Sequence, residues 1–186
     1  MSYTCHSGGC AGADMMWENE GNKYGVTTIP YSFSGHVQDS PNPHILTPTE
    51  LLEGWDNVLI AEQTLNRKVE TITYNPYVRN LLCRNWFQVK NSTVIFAVGI
   101  FINKRRIEVS GGTGWAVQMA IDNDKDVYLF DQKTNFWHKY IKEYKKFLAI
   151  YIIPTLTENF AGIGTRELKE NGKRAIEEIY KDNFKE

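Results

Sequence analysis

Cysteine is scarce: the chain has three, Cys5, Cys10 and Cys83, and no CxxC pair. An odd number at those spacings argues against a disulfide framework or a zinc ribbon. The four histidines, His6, His36, His44 and His138, form no HxxxH pair, so the sequence offers no footing for metal catalysis. No apolar run approaches the roughly 18 residues that would span a bilayer. The opening MSYTCHSGG also lacks a signal-peptide core. A cytoplasmic protein without membrane contact is expected. A surplus of either charge is missing too, with 21 Lys+Arg against 22 Asp+Glu. A dedicated nucleic-acid binder normally carries a basic surplus to displace counterions, so nucleic acid is disfavoured as a partner. Internal repeats and low-complexity tracts are absent as well.

What the chain does have is 186 residues, a length suited to one domain over 1–186, and 13% aromatic residues, enough for a dense core and some ring-lined pocket surface. Short apolar β runs at Tyr3–Ser7, Gly25–Pro30, Thr93–Val98, Val127–Phe130 and Asn159–Ile163 alternate with helical patterns at Ala11–Asn22, Glu50–Arg67, Tyr77–Lys90, the segment ending at Ile121, and Arg166–Asp182. That alternation predicts an α/β fold: an open, mostly parallel Rossmann-like sheet with helices on both faces. Residues Phe136–Ile153 read as an added β-hairpin, although HKYIKEYKK also fits a helix. Gly35–Thr49 reads as a surface loop that ends in a helix start, with Thr47 as N-cap, Pro48 first in the helix and Glu50 completing a capping box.

Eight of the 14 glycines fall in three clusters: Gly8, Gly9 and Gly12; Gly111, Gly112 and Gly114; Gly162 and Gly164. Each sits where an apolar strand is predicted to give way to a helix. Glycine there permits positive φ and close approach of a ligand to the backbone. The unsatisfied N–H groups of a helix start, with the helix dipole, then favour an anion. Taken singly, such turns are weak motifs; three at three junctions point to a phosphate-bearing ligand.

These residues resemble the SLOG superfamily, the Rossmann-like group that includes the LOG nucleotide phosphoribohydrolases, DprA and YpsA-like proteins. SGGCAGADMMWE (Ser7–Glu18) is similar to its SGG-x-x-GAD turn and helix. LLCRNWFQVKNSTVIFAVG followed by SGGTGWAVQ (Ser110–Gln118) is similar to the arginine-bearing helix, strand and PGGxGT turn of the LOG enzymes. FAGIGTRE (Phe160–Glu167) is similar to a GIGSR segment that opens most relatives but closes this chain. The resemblance therefore implies a circularly permuted order, with the C-terminal strand beside the N-terminal one. Residues 35–65 have no counterpart.

The resemblance implies ligand contacts from Ser7, Gly8, Gly9, Asp14, Arg84, Gly111, Gly112, Thr113, Gly114, Gln118, Asp131, Gly162, Gly164, Thr165 and Arg166. It also implies binding of a nucleotide-derived small molecule, such as an ADP-ribose-type or cyclic nucleotide signal, as a sensor, carrier or phage-encoded anti-defence sponge in the host cytosol. A homodimer or higher homo-oligomer is implied, and no cofactor. The second implied function is that of a nucleoside 5′-monophosphate N-glycosidase. One departure bears on it: the glutamate of the LOG enzymes falls on Gln118, whose amide cannot stabilise an oxocarbenium-like charge. Arg84 together with Asp14 or Glu18 would then be the catalytic set, with Asp131 a further carboxylate to weigh. Cys10 lies in the first turn with no histidine beside it in the sequence, which makes a nucleophile the lesser reading. Trp115 and Trp86 divide between core and base stacking, and Asp131 and Gln132 between turn capping and ribose contact.

Overall fold

Eight strands form one sheet in the computed structural model, which describes residues 2–67, 75–105 and 107–185. In chain order they are β1 (Thr4–Ser7), β2 (Thr27–Phe33), β3 (His44–Leu46), β4 (Val94–Gly99), β5 (Asp126–Asp131), β6 (Phe136–Ile141), β7 (Lys146–Ile150) and β8 (Asn159–Gly164). The α-helices among the described residues are α1 (Ala13–Lys23), α2 (Pro48–Leu65), α3 (Pro76–Lys90), α4 (Gly111–Asp122) and α5 (Glu170–Asn183). None of these helices is long and apolar enough to cross a membrane.

The strand order is β3-β2-β1-β8-β4-β5-β6-β7, parallel from β3 to β5, with β6 and β7 an antiparallel hairpin on one edge. This is a Rossmann-like open α/β sheet. The C-terminal strand β8 lies between β1 and β4, beside the N-terminal strand as expected. From β1 the chain winds outward to β2 and β3; from β4 it winds the opposite way to β5. The winding direction thus reverses around β1, β8 and β4, and such a reversal leaves a crevice at the carboxyl ends of the strands.

Side chains alternate across the sheet with the period of two that strands impose. On β4, Ile95 and Ala97 join a core with α2, α3 and α4, while Val94, Phe96 and Val98 face α1 and α5. The parallel neighbours follow the same rule: Ala161 and Ile163 of β8 point to the first face and Phe160 to the second. Central strands buried on both sides read as continuous apolar runs, as VIFAVG does. Phe96 is at the centre of the second core, its ring 5.4 Å from Tyr128, 5.9 Å from Phe160 and 6.3 Å from Trp17.

Element boundaries depart from the sequence reading at four places, each for a local reason. The α1 helix starts at Ala13 rather than Ala11, because Gly12 holds φ 95° as its N-cap. The β2 strand continues past Pro30 to Phe33; Pro30 closes the ladder with β1 and the ladder with β3 begins at Tyr31, so no ladder depends on a proline N–H. Part of the Gly35–Thr49 loop is the short strand β3. Finally, α5 begins at Glu170, not Arg166. The segment before it is held in non-helical bonds: Glu167 N–H donates to Thr165 Oγ1 (3.1 Å) and Lys169 N–H to Gln132 Oε1 (2.7 Å). Arg166 therefore lies in a loop, not on a helix start. The Thr47–Pro48–Glu50 capping box is present as read, and Phe136–Ile153 contains the hairpin, with Lys142–Tyr144 a single 3-10 turn between its strands.

Phe96→Ala removes a fully buried ring from the contact of β4 with α1 and α5. A loss of about 3–5 kcal/mol is expected in chemical denaturation; a loss below about 1 kcal/mol would mean that the ring does not organise this core.

Candidate functional site

A cavity of about 400 Å³ opens where the winding reverses. The β1–α1 turn contributes Cys10 and Asp14; the end of β8 contributes Gly164, Thr165 and Arg166; and the start of α4 contributes Ser110–Thr113. Helix α3 forms the opposite wall with Val78, Leu81, Leu82, Arg84, Asn85 and Gln88. The lining mixes apolar side chains (Val78, Leu81, Leu82, Trp115, Ala116 and Ile163) with polar groups and the guanidiniums of Arg84 and Arg166.

The first turn of any helix leaves N–H groups without intrahelical acceptors. In α4 these belong to Gly111, Gly112 and Thr113, and the N-cap Ser110 makes no side-chain cap bond to them. They border the cavity. Two side chains hold this turn from behind. Arg67 donates to the carbonyls of Val109 (2.7 Å) and Gly111 (3.3 Å), and Asn85 donates to the carbonyl of Gly112 (3.3 Å). Those bonds use the carbonyls, not the amides.

Arg84 and Asp14 form a buried pair below the cavity, Nη1 to Oδ2 3.9 Å. The same Nη1 donates to the carbonyl of Gly8, and a Cβ at Gly8 would fall on the guanidinium, so glycine is required there for space. Asp14 Oδ1 accepts the Gly164 N–H at 3.2 Å, tying α1 to the end of β8. Burial pushes the Asp14 carboxyl up to about 6, against the lowering effects of Arg84 and of the Cys10 and Gly164 amides. Arg84 keeps its Nε buried with no partner. Arg166 is exposed at the rim.

The loop after β2 brings a histidine to the same place. His36 Nε2 lies 3.6 Å from Cys10 Sγ, and His36 Nδ1 lies 2.9 Å from Ser32 Oγ. Arg166 Nη2 stands 3.9 Å from the same sulfur. Burial, with Arg84 and Arg166 nearby, lowers the His36 pKa to about 4. Its ring is neutral at neutral pH.

The fold gathers Asp14, Arg84, Gly111, Gly112, Thr113, Gly164, Thr165 and Arg166 around the cavity. Other residues expected there turn elsewhere. Ser7 is fully buried and donates to Glu18 Oε1 at 2.7 Å, which also occupies Glu18. Gly9 faces Gln38 and Ser40 of the loop, and Gly12 packs against the backbone of Thr165 and Arg166, so the first glycine cluster accommodates the chain itself. Gly114 fits against the Val109 carbonyl, and Gly162 sits mid-strand under Trp17. Gln118 donates to Asp122 at 2.8 Å. Asp131 caps a turn by accepting from Thr134 (Oγ1, 2.8 Å) and Lys133 (N–H, 3.4 Å), beside a second cavity near Phe101 and Lys104. Trp115 serves both core and cavity wall, whereas Trp86 donates to Glu53 at 2.8 Å. The sequence reading missed His36, Arg67 and Asn85, whose partners lie 26 to 44 residues away. Among the described residues no group of three or more His, Cys, Asp or Glu side chains could hold a metal ion.

Fold and site together define an open α/β protein with a cation-bearing cavity at the strand ends. Comparison of the chain with family models, curated proteins and solved structures finds no match.

Asp14 also makes stability depend on pH. In the unfolded chain its carboxyl ionises near 3.8, and in the folded one near 6. Between those values the folded state binds more protons, so this group's contribution to stability falls as pH rises from about 4 to about 6. Urea titrations of wild type and Asp14→Asn across that window should show the wild-type decline flattened in the variant; parallel profiles would contradict the assignment.

Proposed function

We propose that this chain binds a nucleotide-derived, phosphate-bearing small molecule in the cavity between the β1, β8 and β4 ends. The observation that carries the reading is a helix start without a side-chain cap, Gly111–Thr113, lining a cavity shared with Arg84 and Arg166. Amides at a helix start and guanidiniums are the two groups that best complement phosphate oxygens. The Val78, Leu81, Leu82 and Trp115 wall gives a base or another flat apolar group a place opposite. The volume of about 400 Å³ lies in the range of small-molecule sites, roughly 300–1,000 Å³. The SLOG resemblance supports the same ligand class, and with it a sensor, a carrier or a sponge for an ADP-ribose-type or cyclic signal.

A second reading, N-glycosidic cleavage of a nucleoside 5′-monophosphate, draws on Asp14. Of the two carboxylates proposed for that role, Asp14 lines the cavity and Glu18 does not. A proton held up to about pH 6 suits general acid–base work. The binding reading needs no such step and is preferred.

Native mass spectrometry with a panel of 5′-nucleotides, cyclic nucleotides and ADP-ribose separates the two. Intact ligand mass on the folded chain supports binding; free base with ribose phosphate supports cleavage; no adduct at millimolar ligand contradicts both. Arg166→Ala, an exposed substitution, should weaken binding by about ten- to a hundredfold without altering the melting temperature. Unchanged affinity would remove Arg166 from the site.

A further inference from the structure

The cavity contains chemistry that binding does not use. Cys10 is the cysteine that borders it; it is 7% exposed, and its sulfur has an imidazole and a guanidinium beside it. With a proton on Nδ1 donated to Ser32 Oγ, His36 presents its Nε2 lone pair to Cys10 Sγ. The ring is fixed by stacking on Phe33, centroids 4.8 Å apart with the planes inclined by 13°. Nucleophile, base and an orienting third group therefore occur in the arrangement that thiol catalysis needs. The other two cysteines lie elsewhere. Cys5 is fully enclosed with its pKa raised far out of range, and burial pushes Cys83 up to about 11. Neither lines the cavity.

A second guanidinium lines the cavity. Arg84 is 6% exposed, lines the same cavity, and keeps a buried Nε without a partner. With Arg166 at the sulfur and the start of α4 across the space, whatever reaches Cys10 passes between positive groups.

We propose that Cys10, assisted by His36, is a nucleophile that bonds covalently to an electrophilic carbon of a small anionic substrate, one whose phosphate or carboxylate lies within a few bonds of that carbon. The proposal rests on the anion-binding reading above. In the step, the sulfur electron pair forms the S–C bond while the thiol proton leaves through His36 Nε2. The leaving group departs with the electrons of its broken bond to the same carbon. The weakly basic imidazole does not keep the proton but hands it to the leaving group or to water. Nothing is oxidised or reduced. Arg166 holds the anionic group next to the sulfur, and His36 relays the proton.

Iodoacetate and iodoacetamide test this, because they deliver the same electrophilic carbon with and without a negative charge. The intact chain is alkylated at pH 7 and each cysteine is quantified by peptide mass. The expected result is alkylation confined to Cys10, about tenfold faster with iodoacetate than with iodoacetamide, and slowed by inorganic phosphate. His36→Asn should slow both reagents about tenfold or more while the circular dichroism stays that of wild type. Arg166→Ala should abolish the preference for iodoacetate. A Cys10 rate no faster than that of the urea-unfolded chain overturns the proposal, and so does an equal rate with the two reagents. Nucleotide binding seen by mass spectrometry beside an inert Cys10 would overturn the covalent step and leave the binding reading standing. A fast Cys10 without nucleotide binding or phosphate protection would sink the binding reading instead.

Discussion

The buried contact between Arg84 and Asp14 is the constraint on which the rest of the site depends. Taking two ionisable groups out of water costs free energy unless each finds several partners. Here the arginine reaches the Gly8 carbonyl as well as the carboxylate, and the carboxylate takes the Gly164 amide. One pair therefore ties together the end of β1, the start of α1, the end of β8 and the middle of α3. Those elements come from both ends and the centre of the chain. Holding them at one point fixes the distance between the α3 wall and the strand ends, and so the width of the cavity.

Above that pair the site is built mainly from backbone. The amides of α4 are set by Arg67 and Asn85 gripping the carbonyls behind them, and the β1–α1 turn is set by close packing of Gly12 on residues 165 and 166. A site of this kind is preorganised. Little chain entropy would be lost if an anion bound there. The Cys10–His36 pair sits on the same scaffold, with its base delivered by a separate loop.

The fold was legible in the sequence because it depends on local pattern. VIFAVG, with no polar residue, marks a strand buried on both faces, and Thr47-Pro48-Thr49-Glu50 writes out its own capping box. The glycine clusters differ in their surroundings, and the sequence does not show it, since a glycine that makes room for the protein's own chain looks the same there as one with open space around it. Gly162 and Gly12 are of the first kind, while Gly111 and Gly112 have open space around them. Contacts made across the fold were not legible at all. Nothing in the residues around Cys10 announces His36, and the link between them depends on β2 running on through Pro30 to carry its loop back over β1. Gln118, expected at the ligand from the sequence, spends its amide on Asp122.

The proposed site has the amides of Gly111–Thr113 and the Arg166 guanidinium hold an anion together. A crystal structure of the chain soaked with ADP-ribose or a 5′-nucleotide tests this most directly. Phosphate oxygens are expected within hydrogen-bonding reach of the Gly112 or Thr113 amide and of Arg166, with the remainder of the ligand against Leu81 and Trp115. A ligand bound elsewhere, or a cavity filled only by water at millimolar ligand, would contradict it.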